Sequence, residues 1–173
     1  MEPATGILNH QNEKLFENGA YLPPRVMVLM ENNPLVIERI IDAPAAAIWS
    51  ALTDPDEMKD WYFDIPDFRA EVGFQFQFSA GEGQEKSYVH LCEVLEVIPE
   101  LKLSYSWRYE GYGGNSILTF ELTPLSEDRT IVRLTHAGLL SFPIENPDLA
   151  PGNFVVGWNY FMGTGLPDYV EGE

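Results

Sequence analysis

The stretch PGNFVVGWNYFMGTGLPDYV, residues 151–170, decides how the chain is read. Phe154, Trp158, Phe161, Met162, Gly165 and Tyr169 recur every three or four positions, the spacing that places side chains on one face of an α-helix. Before it, the chain mostly alternates apolar and polar residues with the period of two that marks strands. A sheet with one apolar face needs a cover. The segment is therefore predicted to be a C-terminal helix gripped by a curved sheet. Gly163, Gly165 and Pro167 are poor helix residues, and Pro167 inside a helix removes the bond to the carbonyl of Gly163. The expectation is a firm helix from Gly152 to Met162, then a kink or break near Gly163–Pro167.

Working outward, Leu35–Ile41 is rich in branched residues and reads as a first strand. Asp42-Ala-Pro-Ala comes next, an acceptor side chain ahead of a proline suited to a first helical turn. Ala45, Ile48, Trp49 and Leu52 then share one helical face. A second short helix starts at once, with Asp54 as cap, Pro55 in its first turn and Glu57 three residues after the cap, and ends around Trp61-Tyr-Phe.

From there to Gly138 the chain alternates. Phe74, Phe76 and Phe78 oppose Gln75, Gln77 and Ser79, with Gly81-Glu-Gly83 as the turn. Tyr88–Ile98 is a longer strand, with His90 and Cys92 on one side of it, ending at Pro99. Leu103, Tyr105, Trp107 and Tyr109 give the clearest period of two, and Leu118, Phe120 and Leu122 the next. Val132, Leu134 and His136 line the last strand. Strands joined by short polar turns imply an antiparallel meander with one aromatic and one polar face. Ser141–Ala150, with Pro143 and Pro147, is the irregular link to the last helix.

The 173 residues suit one domain with a real core. Residues 1–29 do not resemble the rest of the chain and read as an N-terminal extension, expected to be poorly ordered, ahead of a single domain over 30–173. With 27 acidic against 10 basic residues the formal charge is −17, which repels nucleic acid and anionic membrane surfaces. No run reaches the ~20 apolar residues of a membrane-spanning helix. Cys92 is the only cysteine, so an internal disulfide is impossible and a reducing, cytoplasmic setting is the default.

Five phrases in order then resemble one family. DAPAAAIWSALTDPDEMKDW (42–61) is similar to its AP…VW…LTDP…W opening. EVLEVIPELKLSYSW (93–107) resembles its strand–proline–strand signature, and LTFEL (118–122) and RLTHAG (133–138) its next two strands. GWNYFM…L..YV (157–170) is similar to its terminal helix. The family is the activator of heat-shock protein 90 ATPase homologue-like family, within the START-like, helix-grip superfamily. The resemblance spans about residues 35–170. It implies an α+β helix-grip fold: a curved antiparallel sheet of about six strands around a long C-terminal helix, with two short helices after strand 1. It also implies a cavity between sheet and helix, used elsewhere in the superfamily for lipids, polyketides, hormones or aromatic products. No universal catalytic set comes with the family, so function is argued from the site.

His136 shares the inward face with Val132 and Leu134, where an imidazole could orient a ligand or act as a base; a core histidine bonded to backbone is the bland alternative, and the favoured one. His10, His90 and His136 are far apart, and no metal-binding pattern occurs, so neither metal nor cofactor is expected. Cys92 sits mid-strand as packing rather than as a nucleophile, and there is no nucleophile elbow. The remaining signal is aromatic. Trp61, Phe74, Phe76, Tyr105, Trp107, Phe120, His136, Trp158, Phe161 and Met162 are the candidate pocket walls. They line a cavity or fill a core; sequence leaves both open. The leading reading is a non-enzymatic protein that binds a small apolar or aromatic molecule. A partner of the heat-shock protein 90 chaperone and a cyclase- or hydrolase-like enzyme using His136 or Tyr105 are the competing readings.

Overall fold

Leu103, Tyr105, Trp107 and Tyr109 are all buried on one side of β4 (Lys102–Tyr109), so the alternation read in the sequence is the pleat of a half-wet strand. The computed structural model describes residues 34–81 and 87–172. The expected extension over 1–29, and Glu82 and Gly83 of the expected turn, lie outside the described residues. β1 (Leu35–Ile41) is followed by α1 (Ala45–Thr53) and α2 (Pro55–Trp61). The meander β2 (Gln75–Ala80), β3 (Tyr88–Ile98), β4, β5 (Ser116–Ser126) and β6 (Arg129–Ala137) comes next. The sheet has six strands in the order β1-β6-β5-β4-β3-β2, all antiparallel. After 3₁₀ turns at Leu139–Ser141 and Pro147–Leu149, the chain ends in α3 (Pro151–Tyr160), a π-helical turn (Phe161–Gly165) and α4 (Leu166–Val170).

The inner face is an apolar layer interrupted by two buried imidazoles, His90 and His136. Phe76 and Phe78, Cys92 and Val94, the four β4 residues, Leu118, Phe120 and Leu122, and Val132 and Leu134 all point toward the helices. A bulge in β3 between Val94 and Glu96 inserts Leu95, so the inward positions His90, Cys92 and Val94 give way to Val97 opposite Leu103. The other face is mixed, with Val36, Ile40 and Ile117 exposed among polar residues, Arg133 paired to Glu38 at 2.9 Å and Lys102 to Glu96 at 3.0 Å.

Two sequence expectations are corrected at the helices. Asp42 does not cap α1: the helix begins at Ala45 after Pro44, without a side-chain cap, and Asp42 instead accepts from Arg129 Nε at 3.1 Å. Asp54 does cap α2, accepting from the Asp56 amide at 2.8 Å. Glu57 is drawn outward rather than back to the cap, bonding Ser50 Oγ on α1 and, at 3.0 Å, the Tyr169 hydroxyl on α4.

The C-terminal segment neither breaks nor continues as a plain α-helix. The Leu166 amide donates to the carbonyl of Phe161, five residues back, so one wide turn absorbs the proline next to it. Met162, within that turn, and Leu166, just after it, are fully buried. Gly165 has a packing reason, since a Cβ there would lie 3.2 Å from the Trp61 carbonyl and 3.8 Å from its ring. Trp61 is thereby held between α1, whose Ala51 carbonyl accepts its indole N–H at 2.8 Å, and the wide turn.

Candidate functional site

Between the inner face of β4 and the start of α3 lies an aromatic cleft of about 170 Å³. Trp107 and Tyr109 form its sheet side, because they are the last two inward positions of β4. Phe154, Gly157, Trp158 and Phe161 form its helix side at the three- and four-residue spacing of one helical face. Phe63, from the loop after α2, completes the aromatic lining, and Asp148 and Asn153 form its polar rim.

The walls are fixed by bonds among themselves. The Trp107 indole N–H donates to the Tyr109 hydroxyl at 2.9 Å. Trp107 packs directly against Trp158 at 5.5 Å between centroids, nearly edge-on, so the two indoles form one continuous part of the wall. At the rim, the Tyr88 hydroxyl donates to Asp148 at 2.6 Å, and the Asn153 amide to the Pro147 carbonyl at 2.6 Å.

His136 lies behind this wall, fully buried, with both ring nitrogens engaged. Trp158 Nε1 donates to His136 Nδ1 at 2.9 Å. An indole nitrogen is a donor only, so Nδ1 must be bare and the proton sits on Nε2. That proton points to Ser116 Oγ at 2.7 Å, and Ser116 in turn donates to the Trp107 carbonyl at 2.9 Å. Burial pushes the imidazole down to about 3, in keeping with a neutral ring. The structure thus gives the core-histidine reading, with side-chain partners in place of the expected backbone ones. His90 is also buried, stacked on Phe78 at 4.5 Å and bonded to the Tyr88 carbonyl at 3.0 Å. Burial pushes it down to about 4 against the opposing pull of carbonyls.

A second buried polar contact joins the loop after α2 to the sheet. The hydroxyls of Tyr62 and Tyr105 are 2.7 Å apart, and burial holds both phenols protonated, well above the usual tyrosine range. Burial likewise raises Cys92, so the thiol is neutral packing. Among the described residues no group of three or more potential ligands could hold a metal ion, and no helix is long and apolar enough to cross a membrane.

Of the ten candidate wall residues, Trp107, Trp158 and Phe161 line the cleft. Tyr105, Phe120, His136 and Met162 are fully enclosed behind it, and Trp61 and Phe76 are buried in the packed layer below. Phe74 is partly buried at the edge of that layer. Interior packing and open space therefore coexist: rings fill most of the grip, and the cleft stays open beside them. Tyr109 and Phe154 were within reach of the same periodicities that found Trp107 and Trp158. Phe63, Asp148 and Asn153 belong to irregular segments or to a helix start, where no periodicity points inward.

Six antiparallel strands curved around a C-terminal helix, with two short helices after the first strand and a cleft between the layers, define a helix-grip, START-like domain. The chain belongs to the Activator of Hsp90 ATPase homolog 1-like protein family, whose model matches residues 42–171. Protein MLL2253 from Mesorhizobium loti is 32% identical with a TM-score of 0.66, the match covering 80% of this chain and 96% of that one. CalU16 from Micromonospora echinospora is 25% identical with a TM-score of 0.59, over 80% of this chain and 74% of that one. DynU16, from the dynemicin biosynthetic locus, shares the fold at 22% identity and a TM-score of 0.65, over 81% of this chain and 48% of that one. No curated protein matches the chain.

Proposed function

We propose that the chain binds a small apolar or aromatic molecule in the cleft between β4 and α3. The observation that supports this is the cleft itself: an opening of about 170 Å³ walled by Phe63, Trp107, Tyr109, Phe154, Trp158 and Phe161. An apolar cavity of roughly 150 Å³ is known to hold benzene, so this space suits one aromatic ring or the end of a longer molecule. The rim supplies orientation through Asp148 and Asn153. Binding rather than catalysis fits the chemistry of the walls, since His136 has its bare nitrogen occupied by Trp158 and both tyrosines of the inner pair are held protonated.

Gly157 provides the test. It lines the cleft, and a Cβ there meets nothing within 4 Å. Gly157→Leu therefore fills the opening from the helix side, and replacing glycine inside a helix favours the fold by about 1 kcal/mol. A thermal-shift and native mass spectrometry panel of benzyl alcohol, indole and short acyl alcohols is expected to find ligands for the parent chain. The same ligands should lose binding to Gly157→Leu. Ligands that bind both proteins equally would move the site elsewhere.

A further inference from the structure

A groove of about 420 Å³ lies on the other side of the C-terminal segment, between the end of α2 and the wide turn. Its walls include Trp61, Tyr62, Tyr160, Thr164 and Tyr169, with Asp60 and Asp168 at the edges. Among the described residues, Phe161 is the one that lines both this groove and the inner cleft. Its ring lies 5.2 Å from Tyr62, 5.2 Å from Phe63 and 5.8 Å from Trp158 between centroids. It is the partition between the two spaces.

We propose that cleft and groove are two ends of one ligand channel, closed in the free protein by the Phe161 ring, and that the ligand is an elongated neutral aromatic molecule of two or more rings. This rests on the cleft being a binding site. Among the rings at the partition, Phe161 and Phe63 can swing without stranding a polar atom, and of these two Phe161 is the one that lines both spaces. Moving Trp158 would leave His136 Nδ1 without its donor, and moving Tyr62 would leave the fully buried Tyr105 hydroxyl without a partner. Phe161 has no polar side-chain atom and is half-buried. It also opens the π-helical turn, where Gly163 has open space at its Cβ position. The groove favours neutral ends over carboxylates, because Asp60 and Asp168 edge it and Lys59 is already paired with Asp56 at 3.2 Å.

Two neutral probes test this on the full chain by NMR titration: benzyl alcohol, sized for the cleft, and the naphthalene dye prodan, sized for the channel. Prodan is expected to shift both the Trp158 indole N–H and the Thr164 amide, whereas benzyl alcohol shifts the indole. Phe161→Ala should raise the affinity for prodan relative to benzyl alcohol about tenfold, the penalty removed if the open state is populated at about a tenth. Phe161→Trp should lower that ratio. Prodan shifts confined to one end, or a ratio unchanged in Phe161→Ala, would overturn the channel; the shifts in the parent chain decide the matter even if a variant fails to fold. If benzyl alcohol leaves the indole unmoved while prodan still reaches both ends, the cleft fails as a self-sufficient site and the channel stands.

Discussion

The indole N–H of Trp158 donates to Nδ1 of His136 at 2.9 Å, and this bond ties the C-terminal helix to the last strand of the sheet. Through Ser116 it continues to the Trp107 carbonyl, so the two tryptophans that pack edge-on in the cleft wall are positioned by one relay. Trp158→Phe keeps a ring in place but leaves Nδ1 buried and bare. The expected cost is about 2 kcal/mol, the penalty for an unsatisfied buried acceptor plus some lost contact area. Urea denaturation measures it. A loss below about 0.5 kcal/mol would mean the relay contributes little to holding helix and sheet together.

The same burial makes stability fall in acid. His136 and His90 are pushed down to about 3 and about 4 in the folded chain, against an ordinary value near 6.5. Between those values the unfolded chain binds protons that the folded chain refuses, so their contribution is complete above about pH 6.5 and lost as the pH falls. From pH 7.5 to pH 5.0 each histidine should remove about 2 kcal/mol. Urea titrations at the two pH values check this, and His90→Gln should flatten the dependence by about half. An unchanged slope in that variant would place the acid sensitivity in other groups.

Tyr62 and Tyr105 should behave as a coupled pair. Tyr62→Phe strands a hydroxyl that is otherwise fully enclosed, while the double variant with Tyr105→Phe removes both partners and leaves an all-apolar contact of the same shape. The single change is expected to cost about 1–3 kcal/mol, and the pair less than the sum of the two singles. A double-mutant cycle in urea reads the coupling. Strict additivity would mean that water already serves these hydroxyls.

Periodicity explains both what the sequence revealed and what it hid. Strand and helix faces repeat, so Leu103 to Tyr109, Leu118 to Leu122 and the Phe154–Trp158 face were legible, and with them the sheet order and the covering helix. The site is less regular. Tyr62 and Phe63 enter the grip from a loop whose residues obey no period, and Asp148 reaches the rim from a 3₁₀ turn. Ten aromatic or apolar wall candidates could be turned toward the interior from sheet or helix, but whether a ring borders space or another ring depends on depth along the grip. Three lie on the cleft because it opens where β4 ends and α3 begins. Asp42 misled for a related reason: an acceptor before a proline resembles a cap, yet Arg129 from a neighbouring strand claims it.

The last prediction concerns the wide turn, where local sequence and tertiary packing pull in different directions. Gly163 and Pro167 argue for an end to the helix, while Met162 and Leu166, both fully buried, need it to continue so that each faces the core. Widening one turn satisfies both: Leu166 N–H reaches Phe161, and the proline ring is accommodated without reversing the chain. The arrangement should be held by packing at Met162 and Leu166 more than by its own hydrogen bonds, leaving the exposed Gly163 and Thr164 amides weakly protected. Amide hydrogen exchange is expected to be at least about tenfold faster at these two residues than at Val156 to Trp158 on α3. Met162→Ala should extend the fast exchange into Leu166 and Asp168, since removing a buried Met side chain costs about 2–5 kcal/mol and takes away the anchor on the near side of the turn. Equal protection from Val156 through Val170 would instead mean that the π-helical bonds are as strong as those of α3, and a Phe161 swing that depends on a yielding turn would lose its physical basis.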